Sequence, residues 1–256
     1  MFESDETIPS SVVLYKMAKR LEVDINYFLD EFTPSAQFYS KGNNVFSVIR
    51  QLVHHFEYHS ANIIVEHELT KVKNLTNYEK AFYHWHKGIF EWELHQNKES
   101  AISYFDEALG FAEDEEELIV SILNSKAIIY YRNKEYENAL ETHLQCLPFF
   151  EINRGEHNLL FRKVLFGLSR TYLYSENLDA AYETCEKGIK VTLKDESTYL
   201  LGELLFQKAK ILKRKDQVTE SLQVFNQAKV LFQLHQNAEY EKLCNKNIDA
   251  IITVIR

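Results

Sequence analysis

The chain has 256 residues, a formal net charge of -9 and 45% apolar residues, enough to fill a sizeable core and too apolar for a disordered segment. Seven glycines and three prolines suit long helices and are too few for sheets joined by tight turns, so an all-α fold is expected. An acidic chain repels phosphate backbones as a whole, so any nucleic-acid surface would have to be a local basic module.

The first predicted element lies in PSSVVLYKMAKRLEV, where Val13, Leu14, Met17, Ala18 and Leu21 form a helical stripe behind a start at Pro9 and Ser10. A short second helix carries Tyr27, Phe28 and Leu29. Glu3, Pro9, Ser10, Leu14, Met17, Ala18, Leu21 and Val23 together resemble the closing part of a repressor-type helix-turn-helix domain, with Asp5 near a position where that family usually has glycine. The resemblance implies that residues 1–32 are the C-terminal remnant of a DNA-binding domain. It also implies that the recognition helix belongs just before Phe2 and is absent from this chain, so that DNA would be met only through a complete domain.

From residue 44 to 256 the sequence repeats. Ala61, Ala101, Ala139, Ala181 and Ser221 recur at intervals of 38 to 42 residues, each inside a predicted helix. Upstream of each lies a second apolar-periodic helix: FSVIRQLVHHF, KAFYHWHKGIFEWEL, VSILNSKAIIYYR, RKVLFGLSRTYLY and LLGELLFQKAKILKR. Short polar turns such as HQNKE, NKE, SEN and KDQ join the partners. Small residues are needed where the two helices of a hairpin cross closely. The pattern resembles tetratricopeptide repeats: Tyr136, Ala139 and Cys146 match the second consensus helix, and Ala127 and Tyr130 the first. HEAT-like repeats share a spacing near forty, but paired small residues seven apart suit the tetratricopeptide hairpin better. The expected fold is a right-handed superhelix of about five hairpins, closed by the C-terminal helix AEYEKLCNKNIDAIITVI.

A repressor-type domain followed by such hairpins resembles the peptide-pheromone regulators of the Rgg and PlcR families, and LLGELLFQKAKILKRKDQ is similar to the PlcR type. The resemblance implies a homodimer whose repeat domain holds a short signalling peptide in a concave groove and couples it to DNA binding. A protein-binding repeat scaffold without a DNA role is the alternative. In stacked hairpins the first helix of each pair lines the inner surface. The inward consensus positions then select Ser121, Asn124, Ile128, Tyr131 and Arg132 in one repeat and Lys163, Phe166, Arg170, Leu173 and Tyr174 in the next. The last repeat contributes Glu203, Phe206, Lys210, Lys213 and Arg214, and an earlier one Phe82, Trp85, Ile89, Trp92 and Glu93. Aromatic and cationic groups in one trough suit a peptide's side chains and its carboxylate. Asn124 can donate and accept at once and so clamp a peptide bond, and Gln207 adds a second amide. Packing between repeats is the competing reading for Trp85, Trp92 and Phe206.

No catalytic or cofactor chemistry is expected. GxSxG, P-loop and dinucleotide patterns do not occur. His55 and His59 could share one helix face, but no carboxylate or thiol partners are fixed beside them, so no metal is expected. Cys146, Cys185 and Cys244 have no zinc spacing, and their odd number fits a reducing compartment. The acidic run EDEEE reads as a helix start. With no apolar run of ~18 residues and no signal-peptide pattern, the protein is expected in the cytoplasm.

Overall fold

The computed structural model describes residues 36–71, 75–152 and 159–255, and every regular element among them is helical. The proposed helix-turn-helix remnant at 1–32 lies outside the described residues. The chain divides into two compact units, residues 1–67 and 68–256. The first holds α1 (Ala36–His54) and most of α2 (Tyr58–Leu69). Phe46 and Ile49 of α1 are buried, as are Ala61 and Val65 of α2.

The second unit is a succession of helix pairs: α3 (Asn77–His95) with α4 (Lys98–Ala112), α5 (Glu116–Arg132) with α6 (Tyr136–Leu144) and α7 (Leu147–Ile152), α8 (Leu159–Tyr174) with α9 (Leu178–Lys194), and α10 (Leu201–Arg214) with α11 (Val218–Leu234). Partners in each pair pack on each other and on the next pair, the superhelical tetratricopeptide arrangement. The last helix, α12 (Ala238–Ile255), packs on α11. There the Tyr240 ring stacks on Phe232 at 4.8 Å, and Cys244 and Ile251 are buried.

The recurring small residues explain why the pairs can close. Ala101, Ala139, Ala181 and Ser221 are completely buried, and so are Ala108, Cys146 and Ala228 seven positions on. A Cβ on Gly88 would come 2.5 Å from the Phe105 ring and 2.9 Å from the Ala101 carbonyl oxygen, so only glycine lets α3 and α4 approach this closely. Ser221 repeats the contact with a polar group, its hydroxyl donating to the Ala209 carbonyl oxygen at 2.7 Å.

Turns follow one recipe. A non-glycine residue with positive φ ends the first helix of each pair: Gln96 (52°), Lys134 (63°), Glu176 (62°) and Asp216 (59°). An asparagine then caps the next helix in several cases. Asn97 Oδ1 accepts from the Ser100 amide and Asn177 Oδ1 from the Ala180 amide. Thr76 and Glu79 form a reciprocal capping box at the start of α3. One expected helix is divided: the stretch YENALETHLQCLPFF forms α6 and α7 with a break at Gln145–Cys146. Pro148 has no amide hydrogen and its ring crowds the carbonyl four residues back, that of Leu144, where α6 stops.

Ion pairs tie consecutive hairpins together along the turn edge. Glu93 pairs with Arg132, Lys98 with Glu135 at 2.9 Å, Glu176 with Arg214 and Asp179 with Lys215. Between the α5–α6 and α8–α9 hairpins that edge carries aromatic rings: Tyr136 stacks on Tyr174 with centroids 5.7 Å apart and planes 26° apart.

Candidate functional site

The first helices of three consecutive hairpins, α5, α8 and α10, bring several predicted residues into one cluster. Arg170 lies one helical turn before Tyr174 on α8, so both project toward one face. The Arg170 guanidinium sits 4.4 Å from the Tyr131 ring centre and 5.3 Å from that of Phe166. Tyr131 meets Tyr174 edge-on at 5.5 Å. Lys210, reaching from α10, donates to the Tyr174 hydroxyl at 3.0 Å and lies 5.0 Å from its ring centre. Tyr131, Phe166, Arg170, Tyr174 and Lys210 therefore form one continuous aromatic–cationic chain across three hairpins.

The two phenols shift in opposite directions, although the cations lower both. Burial pushes the Tyr131 hydroxyl up to about 12, and Arg170 pulls it partway back. The Tyr174 hydroxyl is held below the usual tyrosine value, chiefly by the Lys210 hydrogen bond. Tyr240 of α12 is raised by burial, with Arg170 opposing and Glu203 reinforcing the shift, so the electrostatic reach of the cluster extends to the last helix.

About two turns before Tyr131, Asn124 is 7% exposed, and its side-chain oxygen has no hydrogen-bond partner. Such an acceptor ordinarily costs about 1–3 kcal/mol. Ile128, between Asn124 and Tyr131, is 37% exposed, an apolar surface on the same helix. Arg132 pairs with Glu93 and lies 5.0 Å over the Trp92 ring. Trp92 itself is buried, and its indole nitrogen has no acceptor. Trp85 is anchored differently, donating to the Ser125 hydroxyl at 2.9 Å.

The remaining predicted residues lie elsewhere in the stack. Lys163 is exposed, and partial burial of its side chain lowers its pKa. Glu203 is half-buried. Phe206 packs edge-on against Phe225 and Tyr240, at 5.4 and 5.7 Å, in the cluster formed by α10, α11 and α12. Gln207 is 2% exposed, and its amide nitrogen donates to the Ser169 carbonyl oxygen at 3.4 Å. Both make inter-helix contacts.

Sequence reasoning used Tyr136 only as a marker of the repeat, yet its ring completes the trio with Tyr131 and Tyr174. It passed over His143, which is 1% exposed with Nε2 unpartnered. Gly167 makes room for that ring: a Cβ there would lie 2.5 Å from Nε2. Burial lowers the His143 pKa to about 4, so the ring is neutral near pH 7. The three cysteines are free and buried, and burial raises Cys146 and Cys185 to about 12 and Cys244 to about 11. A separate cavity of about 680 Å³ lies beside α3 and α4, lined by Lys80, His84, Ser103, Tyr104 and Phe111 among others; it holds none of the predicted residues. Among the described residues no helix is long and apolar enough to cross a membrane.

The profile of the RNPP family C-terminal domain matches residues 42–252, most of the chain. The protein belongs to the RNPP family. Solved structures share its fold at low sequence identity. Apo PlcR from Bacillus thuringiensis is 18% identical with a TM-score of 0.75, the match covering 96% of this chain and 90% of that one. PlcR from the same organism in complex with the peptide PapR7 and DNA gives 18% identity and 0.70, covering 94% and 86%. A Rap protein complexed with competence and sporulation factor gives 16% and 0.66, covering 94% of this chain and 69% of that one. No curated protein sequence matches the chain. The tetratricopeptide-like, all-α architecture expected from the small-residue period is the one these relatives share.

Proposed function

We propose that this RNPP protein is a cytoplasmic, peptide-responsive transcription regulator. Its inner face, built by α5, α8 and α10, binds a short extended peptide. Binding biases a homodimer between two arrangements, and a complete helix-turn-helix domain converts the arrangement into DNA affinity. The ligand can shift that equilibrium only by its difference in affinity for the two arrangements. The domain limits follow the same reading: 1–32 for the DNA-binding remnant and 44–256 for the sensor and dimerisation domain.

The observation that carries this reading is the placement of unlike recognition groups on the first helices of consecutive hairpins. Asn124 offers a buried carbonyl without a partner, Ile128 an apolar surface, and the Tyr131–Arg170–Tyr174–Lys210 chain both aromatic faces and positive charge. A peptide supplies the complement of each: an amide donor, apolar side chains and a carboxylate. The PlcR structure with PapR7 and DNA lends the reading a structural parallel.

Affinity selection on the immobilised full chain, using a synthetic library of random heptapeptides, tests it. Enriched sequences should compete with one another and should alter the dimer distribution measured by light scattering. No enrichment over a bare matrix would refute the peptide-binding function.

A further inference from the structure

We propose that the cavity beside α3 and α4 is a ligand site of its own, taking a small phosphorylated aromatic metabolite of the nucleoside monophosphate class. None of its lining residues belongs to the trough, so the inference stands or falls apart from the peptide-binding reading.

Two helical stripes build the cavity. Lys80, His84 and Lys87 recur every three or four residues along α3, and Ser100, Tyr104, Glu107 and Phe111 do so along α4, so each set shares one helix face. The stripes meet in antiparallel order. Lys80 Nζ lies 5.5 Å from the Phe111 ring centre, His84 Nε2 3.4 Å from Glu107 Oε2, and Lys87 Nζ 5.8 Å from the Tyr104 ring centre. The His84 ring is oriented by Nδ1, which donates to the Lys80 carbonyl oxygen at 2.8 Å. Leu69 adds an apolar wall. The enclosed space of about 680 Å³ is that of a small-molecule cleft.

Its lining offers more donors than acceptors. Several lysines of this acidic chain are matched, Lys98 with Glu135, Lys126 with Asp106 and Lys208 with Glu186. Lys80 forms no ion pair among the described residues, and its ammonium faces the Phe111 ring. The Ser100 and Ser103 hydroxyls also line the cavity without a partner among the described residues. Glu107, the one acid of the lining, is engaged by His84. An ammonium is a point charge that suits phosphate, and it lacks the planar fork with which arginine grips a carboxylate. Hydroxyls can donate to the phosphate oxygens that the ammonium leaves open. Tyr104 and Phe111 set the other half of the ligand, because any nucleobase has a face that packs on such rings. Phosphate alone would leave the rings unused, and a neutral aromatic would leave Lys80 without a counter-charge. A nucleoside monophosphate answers both.

Isothermal titration of the full chain with adenosine, guanosine, cytidine and uridine monophosphates, with the matching nucleosides and with inorganic phosphate, tests the site. At least one monophosphate should bind with a Kd below about 1 mM, and its nucleoside and inorganic phosphate should bind at least about tenfold more weakly. Lys80→Gln should weaken that binding about tenfold. Ser103→Glu, which brings a carboxylate to an exposed position of the lining, should abolish it. Lys190→Gln, an exposed lysine on α9, should leave it unchanged. Absence of binding by every monophosphate would overturn the site. Inorganic phosphate bound as tightly as the monophosphate would also overturn it, as an adventitious ion only. So would binding that survives both cavity variants, or that falls equally in Lys190→Gln. Circular dichroism checks each variant, and because Ser103 is exposed its variant decides the matter even where Lys80→Gln unfolds.

Discussion

The guanidinium of Arg170 on α8 sits 4.4 Å from the ring centre of Tyr131 on α5, so a cation from one hairpin is held by an aromatic face from the hairpin before it. The contact is both a joint of the superhelix and the floor of the proposed site. Its two roles separate by experiment. A double-mutant cycle of Tyr131→Leu and Arg170→Gln, measured by urea denaturation, should give a coupling of about 0.5–2 kcal/mol. Additive effects would mean that the contact contributes nothing to the joint.

Asn124 makes the opposite prediction for stability. Its side-chain oxygen has no partner to lose, and alanine is the better helix former by up to about 0.7 kcal/mol. Asn124→Ala should therefore leave the melting temperature unchanged or raise it, while reducing retention of selected peptides about tenfold. A large loss of stability would mark Asn124 as a structural residue.

Close approach of α3 and α4 is tested by a pair of glycine substitutions. Gly88→Ala forces a Cβ to 2.5 Å from Phe105 and should cost about 1–3 kcal/mol. Gly110→Ala, on α4 with nothing within 4 Å of its Cβ, should instead stabilise by up to about 1 kcal/mol. Equal effects in thermal unfolding would contradict the helix spacing.

His143 sets a pH dependence. Its pKa falls from 6.5 in the unfolded chain to about 4 in the folded one. The unfolded state thus binds the extra proton between these values, and stability falls as pH drops from 6.5 toward 4. Over that window the loss attributable to this ring is about 3 kcal/mol. Urea unfolding at pH 7 and pH 4.5 should show a drop that shrinks clearly in His143→Leu. An undiminished drop would assign the acid sensitivity to other groups.

Much of this was readable before any coordinates. Ala101, Ala139, Ala181 and Ser221 announced the hairpins because close helix crossings admit only small side chains, and each is fully buried. Position within the repeat also brought Tyr131, Arg170, Tyr174 and Lys210 to one face. It could not show the neighbours of Phe206 and Gln207, because a position within one repeat says nothing of what the adjoining helices present, here Tyr240 and the Ser169 carbonyl oxygen. The break at Gln145–Cys146 had its signal in Pro148, whose effect on the carbonyl of Leu144 is local chemistry. His143 had none: its partner space is created by Gly167 on another helix, and a lone histidine in THLQ reads as solvent-facing.

The most direct test of the central claim is hydrogen–deuterium exchange of the full chain with and without a saturating peptide from the heptapeptide selection. Added protection should concentrate in α5, α8 and α10, around Asn124, Tyr131, Arg170 and Lys210. Protection confined to the second helices of the hairpins, α4, α9 and α11, with α5, α8 and α10 unchanged, would contradict it.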